Sequence, residues 1–244
     1  MAKAPAAEQL KLLGLQALDA KLHSLDVQRR ALDSDPRLAP TAEALAQASL
    51  AAREADLAVE QAQTELVQAE QSVEQVTARI EKDEARLYAG GLSKDLQALQ
   101  HDIEGLTARR SDLEDAELEL LERLDGLRER QSAAAAVLAE AQRASDALRA
   151  ELDQQIAVLA EERAQVAYER EDYVRGIVPD LVGVYEKTLA RRGVGAARLF
   201  HGTSEGSGMA LSPGDLAAIR AAAEDEIVFC PDSGCILVRS PEWS

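Results

Sequence analysis

The chain has 244 residues and a formal net charge of −17, from 27 Lys plus Arg against 44 Asp plus Glu. Its apolar content of 46% is mostly Ala, Leu and Val with only 3% aromatic residues, which argues against a thick globular core and for long helices in thin layers. The acid surplus excludes broad attraction to nucleic acid or anionic lipid but leaves room for a local basic patch. No apolar run approaches the ~18 residues of a membrane span, and Met1 to Gln9 lacks the segments of a signal peptide, so the expected location is the cytoplasm, with no membrane partner.

In chain order, Leu15, Leu18, Leu22, Leu25 and Leu32 alternate by three and four and predict a first helix over about 6–33. Pro36 and Pro40 break it. A second helix is predicted over 41–88, with Thr41 as N-cap and apolar residues at every seventh position: Leu45, Ala52, Val59, Leu66, Val73, Ile80 and Leu87. Ala48, Ala55, Ala62, Ala69 and Val76 form the interleaved seam, whose small side chains let two backbones come close. A turn at 89–92 follows, with Gly90 and Gly91 supplying the helix stop.

The third helix is predicted over 93–173, with Ser93 as N-cap. Leu99, Leu106, Leu113, Leu120, Leu127, Ala134, Ala141 and Leu148 make one seam, and Ile103, Leu124, Leu138, Leu152, Leu159 and Val166 much of the other. Arg110, Glu117, Gln131 and Ser145 interrupt that second seam, as polar residues that fix register do. Two arms of about 80 residues, each reaching ~120 Å if fully helical, joined by paired glycines, predict an antiparallel coiled-coil hairpin over 1–175. The short connection disfavours a straight parallel dimer. Leftover leucines allow a monomer or a homodimer.

From about Ile177 the heptads stop, and residues 176–244 read as a linker helix followed by a small α+β domain. Arg198-Leu199-Phe200, a polar loop from His201 to Gly208, a short helix from Pro213 to Ala223, then Ile227-Val228-Phe229 and Ile236-Leu237-Val238 flank the turn Cys230-Pro231-Asp232-Ser233-Gly234. About 50 residues hold too little core to stand alone without a metal, the coiled coil or a partner.

The hairpin, the segment Ser93-Lys94-Asp95-Leu96-Gln97-Ala98-Leu99-Gln100-His101-Asp102-Ile103-Glu104, the Leu113-Glu114-Asp115 that follows, and Leu211-Ser212-Pro213 through Ile236-Leu237-Val238-Arg239 together resemble the bacterial C4-type zinc-ribbon proteins with an N-terminal coiled-coil hairpin. The fold class is therefore mainly α: a long antiparallel coiled-coil hairpin and a small zinc-ribbon-like C-terminal domain. The resemblance implies a non-enzymatic adaptor that contacts several proteins, such as secretion-apparatus components or a sigma factor, and in one lineage an mRNA. It also implies four thiolates around zinc, at positions that in this chain read Ser204, Ser207, Cys230 and Ser233. A serine hydroxyl stays protonated near neutral pH and is a poor zinc ligand, so the expectation is no cofactor and a ribbon that persists without metal. Phe200, Leu211, Ile219, Ile227, Phe229 and Leu237 would then supply the core. The alternative is a rearranged zinc site from His201, Cys230 and Cys235 with a carboxylate such as Asp232.

No nucleophile, base or phosphate-loop constellation is present; His23 and His101 stand alone on helical faces, and the glycines of the 202–208 loop lack a following Gly-Lys-Ser/Thr. The chain is expected not to be an enzyme. Protein partners are expected on the coiled-coil surface. Nucleic acid is the alternative partner, through Arg191, Arg192, Arg198 and Arg239 if these gather at the terminal domain.

Overall fold

A computed structural model describes residues 3–239; residues 240–244, the last of the expected terminal domain, and residues 1–2 lie outside the described residues. The helices are α1 (Ala6–Asp33), α2 (Leu38–Ala89), α3 (Ser93–Arg175), α4 (Pro179–Arg192) and α5 (Pro213–Ala221). The strands are β1 (Ala196–Phe200), β2 (Thr203–Ser204), β3 (Met209–Ala210), β4 (Val228–Phe229) and β5 (Ile236–Arg239). The chain divides into two compact units, one of residues 36–150 and one joining 1–35 to 151–244. That division differs from the expected boundary at 175: α1 packs on the terminal sheet, and the end of α3 is tied to α1 by Lys21–Glu162, Asp26–Arg163 and Asp19–Arg170.

The 36–150 unit is a helical hairpin. Its α2 begins at Leu38, before Thr41, because Pro40 falls among the first residues of a helix, whose N–H groups have no intrahelical partner to lose. Thr41 does not cap; its hydroxyl donates back to the Arg37 carbonyl at 2.6 Å. Gly90 ends the helix at φ 80°. Val59, Ala62 and Leu66 of α2 bury against Leu124 of α3, with Leu120 and Leu127 alongside, so the two seams mesh antiparallel. Glu65 with Arg123 (2.8 Å) and Asp56 with Gln131 (2.8 Å) continue that register on the outside. Ala48, Ala52 and Ala62 are all buried, as a seam of small residues requires of two closely spaced helices.

Extending the alanine seam by one heptad past Val76 reaches Asp83, which is completely buried. Arg79 Nε donates to Asp83 Oδ2 at 2.5 Å and Arg86 Nη1 to Oδ1 at 3.3 Å, one turn to either side on the same helix. The Arg79 hydrogen bond holds the carboxyl below the usual aspartate range, against burial that pushes it up. A depressed acid stabilises the fold above its unfolded pKa of ~3.9, and that contribution disappears as pH falls through the lower folded value.

In the other unit, the sheet runs in the order β3-β2-β1-β5-β4, with β1 parallel to β5 and the remaining pairs antiparallel. Side chains alternate across it. Ala196, Ile236 and Val238 face Leu12 and Leu15 of α1 and Leu181, Val182 and Tyr185 of α4, whereas Ala197, Leu199 and Leu237 face Leu211, Ile219 of α5 and both cysteines. Ile236, Leu237 and Val238 are therefore all at 0% exposure, as in a central strand covered on both faces. Gly195 is fixed by contact, since a methyl group there would run into the Tyr185 ring.

Gln16 of α1 joins the pieces: its Oε1 accepts from Gly195 N at 2.7 Å and Ala196 N at 3.1 Å and lies 3.3 Å from Tyr185 Oη. Tyr185 donates to Asp19 Oδ2 at 2.7 Å, and Asp19 receives Arg170 of α3 at 2.5 Å. Burial and the Asp19 carboxylate together push the Tyr185 hydroxyl far above its ordinary range, which keeps it a donor.

Replacing Asp83 by Leu completes the apolar seam and exchanges a buried carboxylate, paired with two half-exposed arginines, for packing, which is often stabilising. The expected result is a thermal midpoint raised by ~3 °C, with a weakened loss of stability below about pH 4, read by circular dichroism. A lowered midpoint would mean that the Arg79–Asp83–Arg86 cluster contributes more than an apolar contact can.

Candidate metal centre

Cys230 and Cys235 sit where β4 and β5 meet. Cys230 N donates to Cys235 O at 2.8 Å, and Gly234 N donates to Cys230 O at 2.9 Å with Gly234 at φ 72°. This is a bulge in which two residues oppose one and the first must be left-handed, which explains glycine at 234. Arg192 packs onto the same glycine; a Cβ at 234 would lie 2.7 Å from its Nε.

The four zinc-ligand positions are one thiol and three hydroxyls. Ser204 is completely buried, and its Oγ has no hydrogen bond of regular geometry. Ser207 Oγ is turned away to accept from Met209 N at 3.3 Å, and Ser233 Oγ donates to Cys235 Sγ at 3.1 Å. Burial pushes the Cys230 thiol up, but the neighbouring Ser204 hydroxyl and the backbone and side chain of Ser233, with the backbone of Asp232, bring it down to about 7. The knuckle thus still aims its donors at the Cys230 sulfur. Burial pushes the Cys235 thiol up, and the nearby Cys230 charge adds to that.

This donor set does not fit zinc, because one thiolate and three protonated hydroxyls supply neither the charge nor the softness that a structural site needs. The rearranged set is not brought together either. His201 is exposed and lies in the two-residue β1–β2 turn, where it and Gly202 take φ 45° and 73°, as the tight hairpin turn requires. Its ring packs edge-on to Phe200 with centroids 4.2 Å apart, and Asp232 is exposed. Among the described residues no group of three His, Cys, Asp or Glu side chains could hold a metal ion.

The four arginines do not gather. Arg239 is consumed by structure: its guanidinium donates to the carbonyls of Ala222 (3.1 Å), Ala223 (2.7 Å), Glu224 (3.0 Å) and Glu226 (3.0 Å), tying the end of α5 to β5. Arg198 pairs with Glu205 at 2.6 Å and lies over the Phe200 ring at 4.5 Å. Arg191 and Arg192 instead line a hollow of about 380 Å³ with Lys187, Thr188 and Phe229. Lys187 was legible as a basic residue one turn before Arg191. Phe229, expected in the core, is 47% exposed because its side of the short edge strand β4 faces out, whereas Leu211, Ile219, Ile227 and Leu237 are buried.

A family model described as the CT398-like coiled coil hairpin domain matches residues 15–193, and a C4-type zinc ribbon domain model matches residues 203–237. The chain belongs to the CT398-like coiled-coil hairpin family. It is similar to two Mycobacterium tuberculosis proteins, MT2288 and Rv2229c, at 37% identity over 147 residues, 60% of this chain and 60% of theirs. A solved structure from Mycobacterium smegmatis is similar at 28% identity and TM-score 0.87, over 98% of this chain and 100% of that one. CT398 from Chlamydia trachomatis shares the fold at 20% identity and TM-score 0.69, over 96% of this chain and 98% of its own. The zinc-ribbon match spans all four ligand positions, so the chain has the ribbon and three substituted ligands within it.

Replacing Arg239 by Ala strips the carbonyls of the segment after α5 of their donor and is expected to cost about 2 kcal/mol in urea unfolding. Arg239→Lys should restore only part, since an ammonium cannot span four carbonyls as a planar guanidinium does. Equal stability of all three proteins would remove this role.

Proposed function

We propose that the chain is a non-enzymatic adaptor or chaperone-like scaffold of the cytoplasm, acting on partner proteins through the surface of its helical hairpin. The observation that carries this reading is the apolar tip: Tyr88 and Leu92, on either side of Gly90-Gly91, are 88% and 76% exposed. Side chains of that size exposed together at a turn have no folding role and fit a partner's apolar pocket. Leu50, Leu57 and Val137, all more than half exposed on α2 and α3, add apolar surface along the same unit. No helix among the described residues is long and apolar enough to cross a membrane. The pathways implied by the family resemblance, secretion or transcription, are the classes of partner to look for.

The test is affinity capture of the tagged chain from its own cells, in parallel with a Tyr88→Ser/Leu92→Ser variant, with and without nuclease. The adaptor reading expects a protein set that survives nuclease and is lost from the variant. The same set on both proteins, or none on either, would overturn it. Sedimentation of the same preparations distinguishes a monomer from a homodimer.

A second reading, nucleic-acid binding, rests on the hollow of Lys187, Arg191 and Arg192, whose cations make no ion pair among the described residues and stand beside the exposed Phe229. Cations bind phosphates and the ring offers a face for a base. It expects binding of single-stranded RNA that weakens steeply with salt and falls by at least about tenfold in Arg191→Ala/Arg192→Ala. Salt-independent binding, or an unaffected variant, would contradict it.

A further inference from the structure

The two cysteines are at opposed positions of one hairpin; Cys230 occupies a ligand position of the family motif, and Cys235 lies two residues past another, Ser233. Cys230 and Cys235 belong to one buried cluster under α5 and the sheet. The register Val228↔Leu237, Phe229↔Ile236 carries on to place Cys230 opposite Cys235 across the Gly234 bulge, with the 2.8 Å backbone hydrogen bond between them. Directly opposed residues of an antiparallel pair lie at Cα separations that a disulfide can span. The Ser233 hydroxyl, in the turn that joins them, donates to Cys235 Sγ at 3.1 Å. Packing closes the site from the other side, because a Cβ on Gly206 would lie 2.7 Å from Cys235 Sγ.

We propose that Cys230 and Cys235 form a reversible dithiol–disulfide couple, with Cys230 as the attacking thiol and Cys235 as the resolving one, which staples the knuckle in place of the missing metal. The assignment of roles follows from access. Cys235 is completely buried beside the central strand β5, whereas Cys230 follows the edge strand β4 and opens the exposed turn. Cys230 is also the nearer to solvent, since the adjoining Pro231 and Asp232 are exposed and a local opening of this short turn uncovers it.

With hydrogen peroxide as oxidant, the Cys230 thiolate attacks one peroxide oxygen, the O–O bond breaks, and hydroxide leaves and takes up a proton, giving a sulfenic acid on Cys230. The Cys235 sulfur then attacks Cys230 Sγ; the S–O bond breaks, the Cys235 proton goes to the departing oxygen, and water leaves. Two thiols have lost two electrons in all, and one peroxide has become two waters. A small dithiol reverses the step by exchange.

The experiment treats the full chain with hydrogen peroxide and follows free thiols in denaturant, then maps the non-reduced digest by mass spectrometry. The expected result is loss of both thiols, a Cys230–Cys235 cross-linked peptide, and full recovery with dithiothreitol. In Cys235→Ala, dimedone should trap a sulfenic acid on Cys230. Two thiols that persist through the treatment, a disulfide only between molecules, or first attack at Cys235 in the unsubstituted chain would each overturn the proposal.

Discussion

The amide oxygen of Gln16 is the point through which the terminal domain is held. It accepts two donors at once, the N–H groups of Gly195 and Ala196 at the start of β1, with the Tyr185 hydroxyl of α4 beside it, and all three residues are removed from water. A buried N–H without a partner costs roughly 1–3 kcal/mol, so the start of the central strand depends on a side chain from α1, about 180 residues away in sequence. Asp19, one turn further along, takes the other side of Tyr185 and the Arg170 guanidinium, and so ties α1, α3 and α4 into one network. The helix that opens the chain is thus as much a part of the ribbon domain as the strands are.

This attachment explains how a ribbon lacking its thiolates remains folded. A structural zinc site contributes much of the folding energy of a small domain, and three of the four ligand positions here cannot supply it. Burial replaces it on both faces of the sheet. Leu12, Leu15, Leu181 and Tyr185 cover one face, and Leu211 and Ile219 with the two thiols cover the other. Each large side chain fully removed from water contributes ~1.5–3 kcal/mol, so a few of them match what a metal would give. At the knuckle, the donors that would have stabilised a metal-bound sulfur still converge on Cys230 and change its acidity instead.

The heptads made the hairpin legible because a seven-residue repeat encodes contact with a single neighbouring helix, and Val59, Ala62, Leu66 and Leu124 meet as that repeat requires. The docking of α1 on the sheet was not legible, because Leu12 and Leu15 satisfy a helical pattern equally whether they face another helix or a strand. Gln16 was invisible for a related reason: an amide in an apolar stripe carries no sign of which backbone it will serve. Asp83 occupies a seam position that the repeat reserves for an apolar residue, and only its flanking Arg79 and Arg86 signal how it is accommodated. At the candidate site, the serine substitutions were readable through the resemblance to the C4-type zinc-ribbon proteins. The tasks of His201 and Arg239 were not, since a left-handed turn position and a set of free carbonyls exist only once the sheet has formed.

The most direct test of this account is amide hydrogen exchange on the full chain with Gln16→Ala. Loss of the shared acceptor is expected to raise exchange at Gly195 and Ala196, and together with them across α1, α4, β1 and β5, by about tenfold or more, while residues 36–150 keep their protection. Faster exchange confined to Gly195 and Ala196, with α1, α4 and β5 unchanged, would show that the terminal domain holds without the helix and would contradict the account.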